Sequence, residues 1–250
     1  MKQVLIILAM VIVTFSHSQE LTPQDKTATS SFIEALKVKD LKKLMPFIAF
    51  PIKREYPLPD IKNEAELIYR CNELFDDSIT NIISNSNIDK EWSRVSWRGF
   101  MLNSRSVWIQ DADYKLITVN VQSKAEKEKL KTIINYDKVS LNASIKEFDA
   151  PVIVLKTEKF YIRIDELKDE LYRYAVWSIN SPLISKPNLV ISNGTIEYML
   201  SGGNHQYKFN NGEYKYQISQ LATAETDPSN LIVEKNGAEI LFAPAEIIRN

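Results

Sequence analysis

The chain has very few of the residues that build metal sites and nucleophilic catalytic sites. It contains one cysteine, Cys71, and two histidines, His17 and His205. One cysteine cannot form an intramolecular disulfide, and zinc sites draw about four ligands largely from Cys and His. Ser-His-Asp catalysis would depend on His205, because His17 follows an N-terminal apolar run and lies within the expected signal peptide described below. We therefore predict no metal site, no cofactor and no catalytic residue.

The chain also lacks an excess of charge of either sign. Lys and Arg together number 31, Asp and Glu together number 32, and the formal net charge is −1. Proteins that bind nucleic acid typically present a basic face, and attraction to anionic lipid needs clustered Lys and Arg. The composition therefore predicts no nucleic-acid partner.

No apolar run reaches the roughly 20 residues that a bilayer-spanning helix needs. The run Val4–Phe15 (VLIILAMVIVTF) follows Lys2, and Ser16 and Ser18 then occupy positions −3 and −1 of a cut before Gln19. This is the layout of a cleaved secretory signal. We expect residues 1–18 to be a signal peptide and the mature protein to be periplasmic or secreted, without a membrane span.

The first hundred residues hold only one of the six glycines and show helical periodicity. Thr22-Pro23 predicts the start of a first helix, and Leu41 lies in a second helix. Asn63 predicts the start of a long helix, whose apolar stripe comprises Ile68, Cys71, Phe75, Ile79 and Ile82. From Trp92 the period changes to two, which predicts strands with Val95, Trp97 and Met101 on one core-facing side.

This order of elements resembles the NTF2-like (cystatin-like) α+β fold over about residues 24–121. The resemblance rests on the helical motifs FIEAL and KDL within 32–41, the hairpin RGFML–SVWI within 98–109, and the strand LITVN at 116–120. It implies helices packed on an antiparallel sheet in a cone with an internal pocket. It also implies that the chain can form a homodimer through its sheet.

The resemblance further implies an enzymatic alternative. Enzymes of the NTF2-like superfamily, such as relatives of ketosteroid isomerase, line the cone with Asp, Tyr or His side chains. The alternative function is therefore a lyase or isomerase that uses Asp and Tyr in the cone. The candidates in this sequence are Tyr56, Asp60, Tyr69 and Asp76.

From about residue 148 the sequence predicts antiparallel β-structure throughout. Apolar-aromatic runs are separated by charged turns, and three Asn-Gly pairs follow at 193–194, 211–212 and 236–237. Asn-Gly between alternating strands is the strongest short hairpin signal, because both turn positions need positive φ. Short strands at this spacing predict an all-β antiparallel barrel or sandwich.

The sequence thus predicts an α+β chain in which an NTF2-like domain at 19–135 is joined by a linker at 136–147 to a β-domain at 148–250. We expect a non-catalytic binding protein of the cell envelope or extracellular space, whose partner is a protein, a glycan or a small apolar ligand. A second alternative is an inhibitor or immunity-type protein that uses the loop Ser201–His205. The candidate binding residues are Tyr56, Asp60, Tyr69, Trp177, His205, Tyr207 and Tyr214.

Overall fold

The computed structural model describes residues 20–102, 106–199, 204–221 and 229–248. The predicted signal peptide and residues 201–203 of the predicted loop lie outside these ranges. The chain forms two compact units, one from Met1–Phe50 and Asp77–Val121, the other from Pro51–Asp76 and Gln122–Asn250. This division differs from the predicted boundary at residue 135, because residues 51–76 and 122–147 belong to the unit that contains the β-domain.

In the first unit, helices α1 (Pro23–Lys37), α2 (Leu41–Leu44), α4 (Asp77–Ser84) and α5 (Ile88–Glu91) accompany a small sheet. The predicted start of α1 is confirmed. Thr22 accepts a hydrogen bond from the Asp25 N–H, and the Asp25 carboxylate accepts one from the Thr22 N–H, which is a capping box. Helix α1 buries its apolar face through Phe32, Ile33 and Leu36.

The sheet of the first unit is antiparallel, in the order β1 (Trp92–Arg94), β2 (Phe100–Leu102), β3 (Val107–Ile109) and β4 (Leu116–Val119). The prediction that Trp97 lies in the core is wrong, because Ser96–Arg98 forms a 3₁₀ turn and Trp97 is 76% exposed. Gly99 follows this turn at φ 117°, where a Cβ would lie 2.1 Å from the carbonyl oxygen of Ile109. Only glycine lets the two strands approach this closely.

The predicted long helix is two helices. Asn63 caps α3 (Glu64–Leu74) as expected, but the chain leaves the helix at Phe75 before α4 begins. The predicted apolar stripe is therefore wrong in part. Leu67 is fully buried in α3, whereas Ile68 is 57% exposed.

The second unit contains α3, α6 (Lys124–Ser140) and a closed barrel of eight antiparallel strands. Each strand pairs with the next in sequence, and the last strand closes the barrel on the first through Glu246 opposite Lys156 and Ile247 opposite Leu155. Of the two predicted architectures, the barrel is confirmed. The strands are β5 (Ala150–Lys156), β6 (Phe160–Glu166), β7 (Tyr172–Ser178), β8 (Leu189–Tyr198), β9 (His205–Asn211), β10 (Tyr214–Gln220), β11 (Ser229–Lys235) and β12 (Ala238–Ile247).

Two of the three predicted hairpins form, but only one of them has Asn-Gly at its turn. Asn236-Gly237 joins β11 to β12 with both residues at positive φ, whereas Asn211 is the last residue of β9 and the turn to β10 is Gly212-Glu213, where Gly212 has φ 60°. The prediction for Asn193-Gly194 is wrong, because this pair lies inside β8, where the pairing register with β7 shifts. A Cβ on Gly194 would lie 2.1 Å from the Phe209 ring, so the glycine provides the space that this ring fills.

The segment predicted as a linker, 136–147, is packed on the outside of the barrel. It contains the end of α6 and a 3₁₀ turn at Ala143–Ile145, and its apolar side chains cover Ala175 and Trp177 of β7. Arg163 beside them donates to Asp165 at 2.6 Å and to Asp137 of α6 at 2.5 Å. Among the described residues, no helix combines the length and apolar character needed to cross a bilayer.

Candidate functional site

The barrel interior is one apolar cluster with a cavity at each end. Strand directions alternate, so the first residues of β6, β8 and β10 lie at one end, and the last residues of β8, β10 and β12 lie at the other. Between the ends, Phe209 and Ile218 are almost fully buried. The inward-facing cluster comprises Ile153, Leu155, Ile162, Ile164, Tyr174, Val176, Ile191, Tyr207, Phe209, Ile218, Leu231 and Val233.

The first cavity, which we call the aromatic mouth, has a volume of about 280 Å³. Its lining is almost entirely apolar or aromatic. It brings the predicted residue Tyr214 together with residues that sequence reasoning did not select. The lining residues are Phe160, Tyr174, Val176, Leu189, Tyr214, Tyr216, Leu231, Val233, Ile240 and Leu241.

Tyr174 is the most deeply placed polar residue of the aromatic mouth, at 1% exposure. Its ring centre lies 5.4 Å from those of Phe209 and Tyr216. Burial raises the pKa of its phenol, which therefore stays neutral. The hydroxyl makes no hydrogen bond to another residue that the structure describes. The hydroxyl oxygen is not among the fully enclosed polar atoms without a partner, so it opens into the cavity, where it can donate to or accept from a ligand atom.

The second cavity, which we call the His205 cleft, has a volume of about 290 Å³ at the opposite end of the barrel. It brings together three of the predicted binding residues, Tyr56, His205 and Tyr207. The full lining is Arg54, Glu55, Tyr56, Val152, Ile153, Val154, His205, Tyr207, Gln220, Ile247 and Ile248.

His205 and Tyr207 are fixed by contacts along neighbouring strands. Nε2 of His205 lies 2.8 Å from Oε1 of Gln220, which can only accept, so Nε2 carries the proton. The Tyr207 ring stands edge-on to His205 with the ring centres 5.3 Å apart, and lies 5.0 Å from Tyr172. Burial raises the pKa of Tyr207, and its hydroxyl also has no hydrogen-bond partner among the described residues.

The loop that carries Tyr56 is held by two carboxylates. Arg54 and Glu126 of α6 form a buried two-pronged ion pair, with Nε donating to Oε1 at 2.6 Å. Asp60 accepts from the Arg54 N–H at 2.9 Å and from Lys53 at 3.0 Å. Through these two bonds Asp60 stabilises the conformation of the loop beside the His205 cleft.

Two other predicted residues lie away from both cavities. Tyr69 is 89% exposed on α3. Trp177 faces outward from β7 and is fully buried under the 141–148 segment, where its indole N–H donates to the Ser185 carbonyl at 2.9 Å. Asp76, a candidate for the enzymatic alternative, accepts a hydrogen bond from the N–H of Ala125 in the first turn of α6.

The described residues contain no group of three or more His, Cys, Asp or Glu side chains that could hold a metal ion. No protein-family model matches the chain, and neither a curated protein nor a solved structure matches it.

Proposed function

We propose that this chain is an exported, non-catalytic binding protein whose barrel takes a small, mainly apolar molecule in the aromatic mouth. The observation that carries the proposal is the deeply placed, unpartnered hydroxyl of Tyr174 in a cavity whose other lining residues are aliphatic or aromatic. Small-molecule sites typically combine an apolar lining with a few placed polar groups. Export rests on the sequence of residues 1–18.

The size and polarity of the aromatic mouth restrict the ligand. Pockets for drug-sized molecules span about 300–1,000 Å³, and a cavity of roughly 150 Å³ holds benzene. A volume of about 280 Å³ therefore suits a molecule of one or two rings. One hydroxyl or carbonyl group on that ligand would hydrogen-bond to Tyr174, and none of the lining residues that the structure describes carries a charge to pair with an ion.

We also propose that the helices and four-stranded sheet of the first unit are related to the NTF2-like fold. The support is the sequence resemblance and the order of α1 and α2 before an antiparallel sheet. The candidate acids Asp60 and Asp76 both accept backbone hydrogen bonds, so our proposal gives neither a catalytic role.

The test compares two probes that differ by one hydroxyl, 2-naphthol and naphthalene, by equilibrium dialysis at pH 7. We expect the full chain to bind 2-naphthol about fivefold more tightly, which corresponds to a hydrogen bond of about 1 kcal/mol. Tyr174→Phe should abolish this preference, because it removes only the hydroxyl. Tyr161→Phe, a half-buried tyrosine packed on the outer face, is the matched control and should keep it.

A second pair of variants tests the position of the site. Leu241 lines the aromatic mouth, whereas its neighbour Phe242 is exposed on the outside of β12. Leu241→Trp should fill the mouth and prevent binding of both probes, and Phe242→Trp should leave binding unchanged. Saturable binding that survives Leu241→Trp, or no saturable binding to the unmodified chain, would refute the proposed function.

A further inference from the structure

The His205 cleft is a second candidate site, and its chemistry differs from that of the aromatic mouth. Aliphatic side chains from β5 and the end of β12 form one wall, and the rings of Tyr56, His205 and Tyr207 form another. The polar side chains of Arg54, Glu55 and Gln220 complete the lining. The cleft therefore offers apolar surface together with both hydrogen-bond donors and acceptors.

The donors of the cleft are oriented by contacts within the barrel. Because Oε1 of Gln220 accepts from His205, the amide nitrogen of Gln220 carries two donors directed elsewhere. Neither these donors nor the hydroxyl of Tyr207 bonds to another residue within the described ranges. Tyr207 is only 5% exposed, but its hydroxyl oxygen is not among the fully enclosed polar atoms without a partner, so it opens into the cleft and is available to a ligand.

The charges around the cleft argue against an ionic ligand. The guanidinium of Arg54 is paired with the buried carboxylate of Glu126, which neutralises the only cation among the lining residues within the described ranges. The carboxylate of Glu55 lies at the exposed side and accepts a hydrogen bond from Gln122 at 2.8 Å. An anion would meet no uncompensated positive charge among the described lining residues, and water and salt screen the attraction of the exposed Glu55 carboxylate for a cation.

We propose that the His205 cleft binds a neutral hydroxylated ring, such as a monosaccharide unit. A sugar ring presents one face of C–H groups, which suits the aromatic and aliphatic walls. Its hydroxyls both donate and accept, so they can satisfy Tyr207 and Gln220 while donating to Glu55. The site is separate from the aromatic mouth, so this proposal and the proposed function can fail independently.

The test titrates the full chain with methyl glycosides of glucose, galactose, mannose and N-acetylglucosamine, followed by amide chemical shifts in NMR spectra. We expect saturable binding of at least one glycoside with a millimolar dissociation constant. Tetramethylammonium chloride and sodium phosphate serve as the cationic and anionic probes. They should not compete with the glycoside.

Three variants locate the binding. Tyr207→Phe and Gln220→Leu should each weaken glycoside binding at least threefold, and Tyr161→Phe should not change it. Because Tyr207→Phe keeps the shape of the core, it tests the hydroxyl even if Gln220→Leu disturbs the strand ends. The proposal is overturned if no glycoside saturates below about 50 mM, if either ion competes, or if Tyr207→Phe binds the glycoside as tightly as the unmodified chain.

Discussion

The buried ion pair between Arg54 and Glu126 predicts a large and asymmetric effect of mutation. Both side chains are almost completely buried, and their contact joins the 51–76 segment to α6 within the second unit. Glu126→Gln keeps the size of the side chain but removes the negative charge. Removing one partner of a buried pair typically costs about 3–5 kcal/mol, because the remaining charge stays desolvated.

This loss is a large part of the total stability of an ordinary domain, which is about 5–15 kcal/mol. The free energy of unfolding of such a domain falls by about 2 kcal/mol for each molar of urea. The urea concentration at the unfolding midpoint should therefore fall by roughly 2 M. The assay is urea unfolding followed by circular dichroism. Glu128→Gln is the matched control, because Glu128 makes an exposed ion pair with Lys131 on the same helix and should cost less than about 0.5 kcal/mol.

The double variant Arg54→Met/Glu126→Leu distinguishes loss of charge pairing from loss of packing. Replacing a buried ion pair by apolar side chains of similar volume is often neutral or stabilising. We therefore expect the double variant to recover most of the loss, and to remain within about 2 kcal/mol of the unmodified chain because it still lacks the capping bond from the Ser123 N–H to Glu126. If Glu126→Gln costs less than about 1 kcal/mol, or if the double variant is as unstable as the single one, the reasoning from burial is wrong.

Three further predictions use the same unfolding measurement. Gly194→Ala should destabilise the barrel by more than about 2 kcal/mol, because its Cβ would overlap Phe209, and the added change Phe209→Leu should recover part of the loss. Folding raises the pKa values of Tyr174 and Tyr207, so their contribution to the free energy of unfolding is complete below about pH 10 and is lost as the pH rises further. The loss should reach up to about 1.4 kcal/mol per pH unit for each tyrosine. Absorbance at 295 nm should show both phenols still neutral at pH 11. Asp165→Asn should cost about 3 kcal/mol, because Asp165 is buried between two arginines.

Local sequence signals predicted the elements whose geometry is set by neighbouring residues. Thr22 and Asn63 cap helices because their side chains bond to an N–H three residues ahead. Asn236-Gly237 forms a hairpin because positive φ is needed at both positions of the turn itself. Asn193-Gly194 has the same local signal but lies inside β8, where the register with β7 shifts and the ring of Phe209, fifteen residues away, fills the space beside Gly194. Such a requirement depends on tertiary packing and is not visible in a short window.

The site was predictable only in part for a related reason. The sequence analysis selected Tyr207, His205 and Tyr214, but it could not distinguish inward from outward positions. Closure of the barrel makes that distinction, so Tyr174 enters the cavity while Trp177, three residues later, faces outward. The alternation of Tyr172, Tyr174 and Val176 carries this information once the direction of one residue is known.

The packed middle of the barrel predicts how the two proposed sites relate. Phe209 and Ile218 are at most 1% exposed and lie between the aromatic mouth and the His205 cleft, so each cavity is closed at its inner side. Close-packed side chains leave a ligand at one end no open path to the other. Ligands at the two ends should therefore bind together, and a saturating glycoside should change the dissociation constant of 2-naphthol by less than twofold. A larger change would mean that the middle of the barrel rearranges on binding, and the tyrosines nearest to it, Tyr174 and Tyr207, would then be the first positions to examine for coupling.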